Sequence, residues 1–305
     1  MINKKILKRY SRPVYVENRN FQKDAPSIGK LLRLSNKVAD SFVKNKLGVV
    51  ANKRVVYQSN CLVCSSGNSK LLFIKKGFKY VECNYCEHVY VQNMLKEKIL
   101  LNYYSDSHKE DLNIKVQKDK KRLLYWNKLY KKYINLYLDI KKNNRILDVG
   151  TGAGNFLRLC KKINKFELYG LDFSVNSKKY VEKIIGKKNF IFQIPIKNLS
   201  SQKMKPFGFI TLWGVLEHLS NPIRDLRALS KITVSGGYCL ALIPNLKSQA
   251  FKILGIATPT LSPTEHVSFF SLKSLKESLI YILDLTLLYL FALFLLDIRL
   301  NMHQY

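Results

Sequence analysis

The chain has 305 residues, room for one full catalytic domain and a smaller unit, and its 47% hydrophobic content excludes a disordered or multi-spanning polypeptide. Lys and Arg total 52 against 21 acids, a formal charge of +31. The excess is mostly lysine and accompanies heavy use of Asn, Ile, Phe and Tyr, the bias of AT-rich coding, so nucleic acid is not the expected partner on charge alone.

Residues 1–58 read as a basic, partly ordered extension with a short helix over residues 30–43. No apolar stretch at its start suits a signal peptide, so a cytoplasmic location is expected. Residues 59–92 hold two C-x-x-C pairs, Cys61 with Cys64 and Cys83 with Cys86, separated by eighteen residues. Each two-residue gap lets a tight turn aim both sulfurs at one tetrahedral ion, and this separation is that of a zinc ribbon. Four thiolates leave no open coordination position, so the expected zinc is structural. Gly67 and Gly77 mark the turns between the pairs, and His88 is expected on the surface rather than as a fifth ligand. Cys160 and Cys239 fall inside apolar patterns and read as small core residues.

Over residues 93–142 the pattern is helical, with Leu123, Leu124, Tyr130, Tyr133, Ile134, Tyr137 and Leu138 at three- and four-residue spacing. Tyr125 and Trp126 strengthen this apolar face, which reads as packing rather than base stacking. At Arg145 a short apolar strand runs into a glycine-rich turn and an amphipathic helix, RILDVGTGAGNFLRLCKKI, the opening of a doubly wound α/β sheet. A dinucleotide fingerprint would place its third glycine at position 155, which is Asn155. The G-x-G-x-G spacing of Gly150, Gly152 and Gly154, with Asp148 two residues ahead, instead resembles the first motif of class I S-adenosylmethionine-dependent methyltransferases. That resemblance covers residues 61–280 and implies an α/β fold, a doubly wound Rossmann-like sheet over residues 143–280 preceded by a small zinc ribbon.

The resemblance places Asp148 near the methionine ammonium of S-adenosylmethionine and the glycine turn along the methionine and ribose. Asp172, ending the segment FELYGLD, takes the ribose hydroxyls, with Phe173 beside it. Pro195 and Ile196 face the adenine edge, and Trp213 belongs to the same pocket. Relatives carry an acid where Gly208 stands and often another at Gly214, so tuning of the pocket is in question there. The Cys-pair unit ahead of the cofactor domain is similar to bacterial sugar C-methyltransferases, which implies Tyr103 or Tyr104, Glu217 and His218 around the acceptor, with His218 as a general base. His266, in SPTEHVSFF, is a second catalytic candidate.

The expected activity is methylation of a small acceptor, a sugar or nucleotide-linked sugar of polysaccharide or secondary-metabolite synthesis. An O- or N-methyltransferase of a quinone, lipid or other small molecule stands as the alternative. A third reading is a non-catalytic binding protein with a degenerate methyltransferase fold. Residues 281–305 form an apolar tail where an antiparallel strand pair is the norm, and no Gly, Pro or Asn between 281 and 300 supplies a hairpin turn. A buried segment and a membrane association through this tail both stay open.

Overall fold

The computed structural model describes residues 26–280, apart from 52, 105, 106 and 142, together with the strand 286–292. The first 25 residues of the predicted basic extension, and residues 281–285 and 293–305 of the predicted tail, lie outside the described residues. The predicted N-terminal helix is α1 (Pro26–Asp40).

The cysteine-bearing segment is a small antiparallel sheet. Strands β2 (Ser69–Lys75) and β3 (Phe78–Cys83) form a hairpin, followed by β4 (Val89–Val91). Its turn has positive φ at both central residues, 53° at Lys76 and 87° at Gly77, the type I′ geometry that matches strand twist. A Cβ on Gly77 would meet Val50 Cγ2 at 2.9 Å, so this turn is also closed to a larger residue. A short pair, β1 (Val55–Tyr57) with β5 (Asn93–Leu95), lies alongside. The helical region is three helices: α2 (Glu97–Tyr104), α3 (Ser107–Gln117) and α4 (Lys120–Ile140). Asp119 starts α4 by accepting the Arg122 backbone N–H at 3.0 Å.

From residue 145 strands and helices alternate: β6 (Arg145–Val149), α5 (Asn155–Ile163), β7 (Glu167–Asp172), α6 (Val175–Ile185), β8 (Phe190–Phe192), β9 (Phe207–Trp213), α7 (Pro222–Ser230) and β10 (Thr233–Pro244). After α8 (Gln249–Leu254), β11 (Ser268–Phe269) and α9 (Leu272–Ile280), the chain enters β12 (Thr286–Ala292). The sheet order is β12-β10-β9-β6-β7-β8, and every neighbouring pair is parallel. This is the expected doubly wound α/β architecture. Part of the segment expected as an apolar tail is therefore a strand of this sheet, paired parallel to β10 rather than folded back as a hairpin. Among the described residues no helix is long and apolar enough to cross a membrane.

Both faces of the sheet are covered, so its strands alternate between two cores. Leu147 and Val149 of β6 and Cys239 and Ala241 of β10 face α7, while Ile146, Leu240 and Leu242 face α4, α5 and α6. Cys160 and Cys239 are fully buried. The α7 face also contains Val63, Cys83 and Cys86, and β11 extends the cysteine-bearing sheet through β4. The small unit thus shares one core with the parallel sheet. His88 marks that junction: it is fully buried, its Nε2 lies 3.1 Å from Ser268 Oγ, and Phe270 packs on its ring. The surface position expected for it is corrected, because β11 covers this side of the unit.

Candidate active site and candidate metal centre

The strand order reverses between β6 and β9, so their carboxyl ends frame the crevice where ligands bind in open α/β sheets. The turn leaving β6 has positive φ at Gly150, Gly152 and Gly154 (70°, 52° and 71°). A Cβ on Gly150 would lie 2.6 Å from Val215 Cγ2, so this turn comes against the loop leaving β9 where a side chain cannot be tolerated. Backbone N–H groups tie it to its surroundings. Gly150 N–H donates to Leu171 O at 2.8 Å, Gly152 N–H to Asp172 Oδ2 at 2.7 Å, and Ala153 N–H to Gln117 Oε1 at 2.7 Å.

Above this turn lies one continuous cavity of about 860 Å³. Of the residues expected around the cofactor, Asp148, Gly150, Gly152, Asp172 and Phe173 line one end and Pro195, Ile196 and Trp213 line its walls, while Gly154 caps α5 and does not reach it. Asp148 is 2% exposed and accepts the Thr211 hydroxyl at 2.7 Å. Burial pushes its carboxyl up to about 8, against the Thr211 hydrogen bond, and the Asp172 charge adds to the rise. Burial also raises Asp172, while N–H groups of Ser174 and Gly152 hold it back. Glu110 of α3, raised by burial as well, is a third carboxyl at this end. Three carboxyls with little water around them make an end that favours a cationic ligand.

The wall opposite is aromatic. Trp126 stacks on Tyr130 at 5.5 Å, and Trp213 packs against Tyr130 at 4.8 Å and Phe156 at 5.4 Å. The aromatic stripe on α4 is thus both core packing and cavity lining. Among the described residues the Trp213 indole N–H is buried with no hydrogen-bond partner.

The far end of the cavity carries Glu217, His218 and His266. Val267 N–H donates to Glu217 O at 2.9 Å, and His218 Nδ1 lies 3.0 Å from Glu265 O. This short antiparallel contact brings the two histidine rings to 4.5 Å, edge to face. Burial, with His266 alongside, pushes His218 down to about 3, and burial lowers His266 as well, so both imidazoles are neutral. Burial raises Glu217 to about 8. Behind them Glu265 is 3.2 Å from Lys109 Nζ and accepts the Ser35 hydroxyl at 2.5 Å. Despite a burial penalty that pushes it up, Lys109 and His266 hold its carboxyl down at about 2.

Tyr103 and Tyr104 end α2, and their side chains lie outside the described residues. Gly214 lines the cavity, but Gly208 sits at the other end of β9, where its missing side chain leaves room for Tyr137 and Asn143. The concern that Gly208 detunes the pocket is corrected on that ground. Lys109, Glu110, Gln117 and Arg122 also line the cavity and were not foreseen. Helix α3 has almost no apolar periodicity to announce it; Glu265 was next to a named histidine, which was the available signal.

The four cysteines form a second constellation. Cys61 N–H donates to Ser66 O and Ser65 N–H to Cys61 O; Cys83 N–H donates to His88 O and Glu87 N–H to Cys83 O. Ser65 and Glu87 share φ of 60°. Two turns of one construction therefore face each other, with Cys61 Sγ 3.5 Å from Cys86 Sγ and Cys64 Sγ 3.5 Å from Cys83 Sγ. All four sulfurs lie within 4.8 Å of one another, and none is in a disulfide. They could hold one tetrahedral ion.

Residues 122–279 match the family model described as a methyltransferase domain. No curated protein matches the chain significantly. Similar solved structures include a SAM-dependent methyltransferase from Archaeoglobus fulgidus, 28% identical over 50% of this chain and 67% of that one, with a TM-score of 0.38. The magnesium protoporphyrin IX methyltransferase of Synechocystis PCC 6803 is 12% identical over 60% and 87%, with a TM-score of 0.44. An amino pentose methyltransferase from Micromonospora echinaspora, involved in calicheamicin biosynthesis, is 17% identical with a TM-score of 0.32; the match covers 37% of this chain and about half, 48%, of that one.

Proposed function

The chain belongs to the methyltransferase-domain family, and from that premise we propose that it methylates a small, oxygen-rich acceptor, a sugar or nucleotide-linked sugar, using S-adenosylmethionine. The observation that carries this reading is the single cavity joining a carboxyl-lined glycine turn to a two-histidine end. The residues present suit the cofactor. Asp148 offers a buried carboxyl to an ammonium and Asp172 a half-buried one to ribose hydroxyls, the aromatic wall offers flat apolar surface, and the orphaned Trp213 N–H offers a donor. When bound, S-adenosylmethionine supplies a methyl group already activated on a positively charged sulfur.

The chain's own residues then have two tasks, holding the acceptor in line and removing its proton. Asn245, Ser248 and Lys109 in the cavity lining provide polar contacts for hydroxyls. His218 and His266 provide bases, because each Nδ1 faces a backbone carbonyl, which only accepts, and so carries the proton while Nε2 keeps its lone pair. We assign structural zinc to Cys61, Cys64, Cys83 and Cys86, since four closed thiolates leave no position for chemistry.

The test is incubation of the chain with S-adenosylmethionine and a panel of nucleotide-linked sugars, free sugars, quinones and lipids, read by mass spectrometry. A gain of one methylene on a sugar-containing acceptor is the expected result. Methylation confined to quinones or lipids contradicts the acceptor class, and absence of any product contradicts catalysis on this panel.

A further inference from the structure

One proton needs one base, yet three donor groups converge at the acceptor end. The ligating atoms of Glu217, His218 and His266 lie within 4.8 Å of one another, not far above the ~3.4 Å edge of a tetrahedron with ligands about 2.1 Å from its ion. Both imidazoles have the supporting hydrogen bond of metal-ligating histidines: His218 Nδ1–H to Glu265 O at 3.0 Å and His266 Nδ1–H to Thr260 O at 2.6 Å. Such a bond fixes the ring and directs the Nε2 lone pair outward. Glu217 Oε2 is buried and, among the described residues, has no hydrogen-bond partner, so the site leaves a buried oxygen that a cation would complete. The nearby Lys109 cation is paired with Glu265 at 3.2 Å, which reduces its opposition to a second positive charge.

We propose that Glu217, His218 and His266 form a divalent transition-metal site whose remaining coordination positions face the cavity and take oxygen atoms of the acceptor. Two neutral imidazoles and one carboxylate suit zinc, iron, cobalt or manganese rather than calcium or magnesium, which prefer oxygen donors throughout. The site is separate from the four-cysteine centre, which is closed. The inference rests on the acceptor-side reading of this end of the cavity and sharpens it: with the ion bound, the histidines act as ligands, and an acceptor with two adjacent oxygens gains a chelating contact.

The experiment strips the full chain with a chelator and titrates it with Co²⁺, counting metal by mass spectrometry and recording visible spectra. The expected result is one equivalent without sulfur-to-cobalt charge transfer, in addition to any bound by the cysteines. Glu217→Gln and His266→Asn should each lose that equivalent while keeping the charge-transfer band, with thermal midpoints near wild type showing that they fold. A wild-type chain binding cobalt only through sulfur, or variants that retain the second equivalent, would overturn the proposal. S-adenosylmethionine affinity is measured on the same samples. Its absence would remove the proposed function without touching the cobalt count.

Discussion

Asp148 and Glu217 are carboxyl groups that burial pushes up to about 8, and both face the cavity. Their folded values exceed the ordinary carboxyl range near 4, so the folded chain keeps protons that the unfolded chain gives up. Their contribution to stability is therefore unchanged below about pH 4 and becomes increasingly unfavourable as pH rises toward about 8. A bound ammonium beside Asp148 reverses the burial effect and restores the carboxylate. Binding of S-adenosylmethionine near pH ~7 should then release about one proton, a release that fades above pH ~9. Titration calorimetry in buffers of different ionisation enthalpy measures it, and Asp148→Asn should abolish it. Equal enthalpies in all buffers would place the ammonium elsewhere. Asp148 was legible because its strand and glycine turn are consecutive in sequence. Gln117 and Lys109 were not, because they reach the cavity only through the packing of α3 against a segment distant in the chain.

At the scale of elements, the two cysteine turns and the glycine turn were visible in the sequence because each is a local backbone requirement. The encounter of His218 with His266 was not, since it depends on a contact between the loop after β9 and the segment entering β11, about fifty residues apart in sequence. Position 208 shows the same limit. Its lack of a side chain answers to Tyr137, whose ring stacks on Phe209 at 4.4 Å and whose hydroxyl donates to Asn143 O at 2.7 Å, linking α4 to the start of β6. Gly208→Ala should therefore cost about 1–3 kcal/mol of stability, the usual penalty for overpacking, with little change in cofactor affinity. Denaturant unfolding and calorimetry on the same variant check both halves of that statement. A neutral stability result would mean that Tyr137 and Asn143 yield freely.

On the whole-molecule scale, the cysteine-bearing unit and the catalytic sheet share a core, and β11 belongs to the smaller sheet while the residues just before it close the acceptor end. Cys83→Ser should consequently lower the unfolding midpoint of the entire chain rather than of one segment, because the proposed closed thiolate coordination would contribute folding energy directly. Two separate unfolding transitions, only one of them shifted, would contradict that coupling. The doubly wound order of the first five strands was legible from their alternation with helices. The parallel pairing of β12 was not, since an apolar run has no turn chemistry to give its direction. The central claim is that one cavity holds cofactor and acceptor in adjoining halves, and calorimetric titration of S-adenosylmethionine into wild type, Asp172→Ala and His218→Ala tests it most directly. The account predicts binding to wild type, a loss of about 1.5–3 kcal/mol for Asp172→Ala, as for hydrogen bonds to a charged group, and an affinity for His218→Ala within a few-fold of wild type. No binding to the folded wild-type chain, or a loss for His218→Ala as large as that for Asp172→Ala, would contradict it.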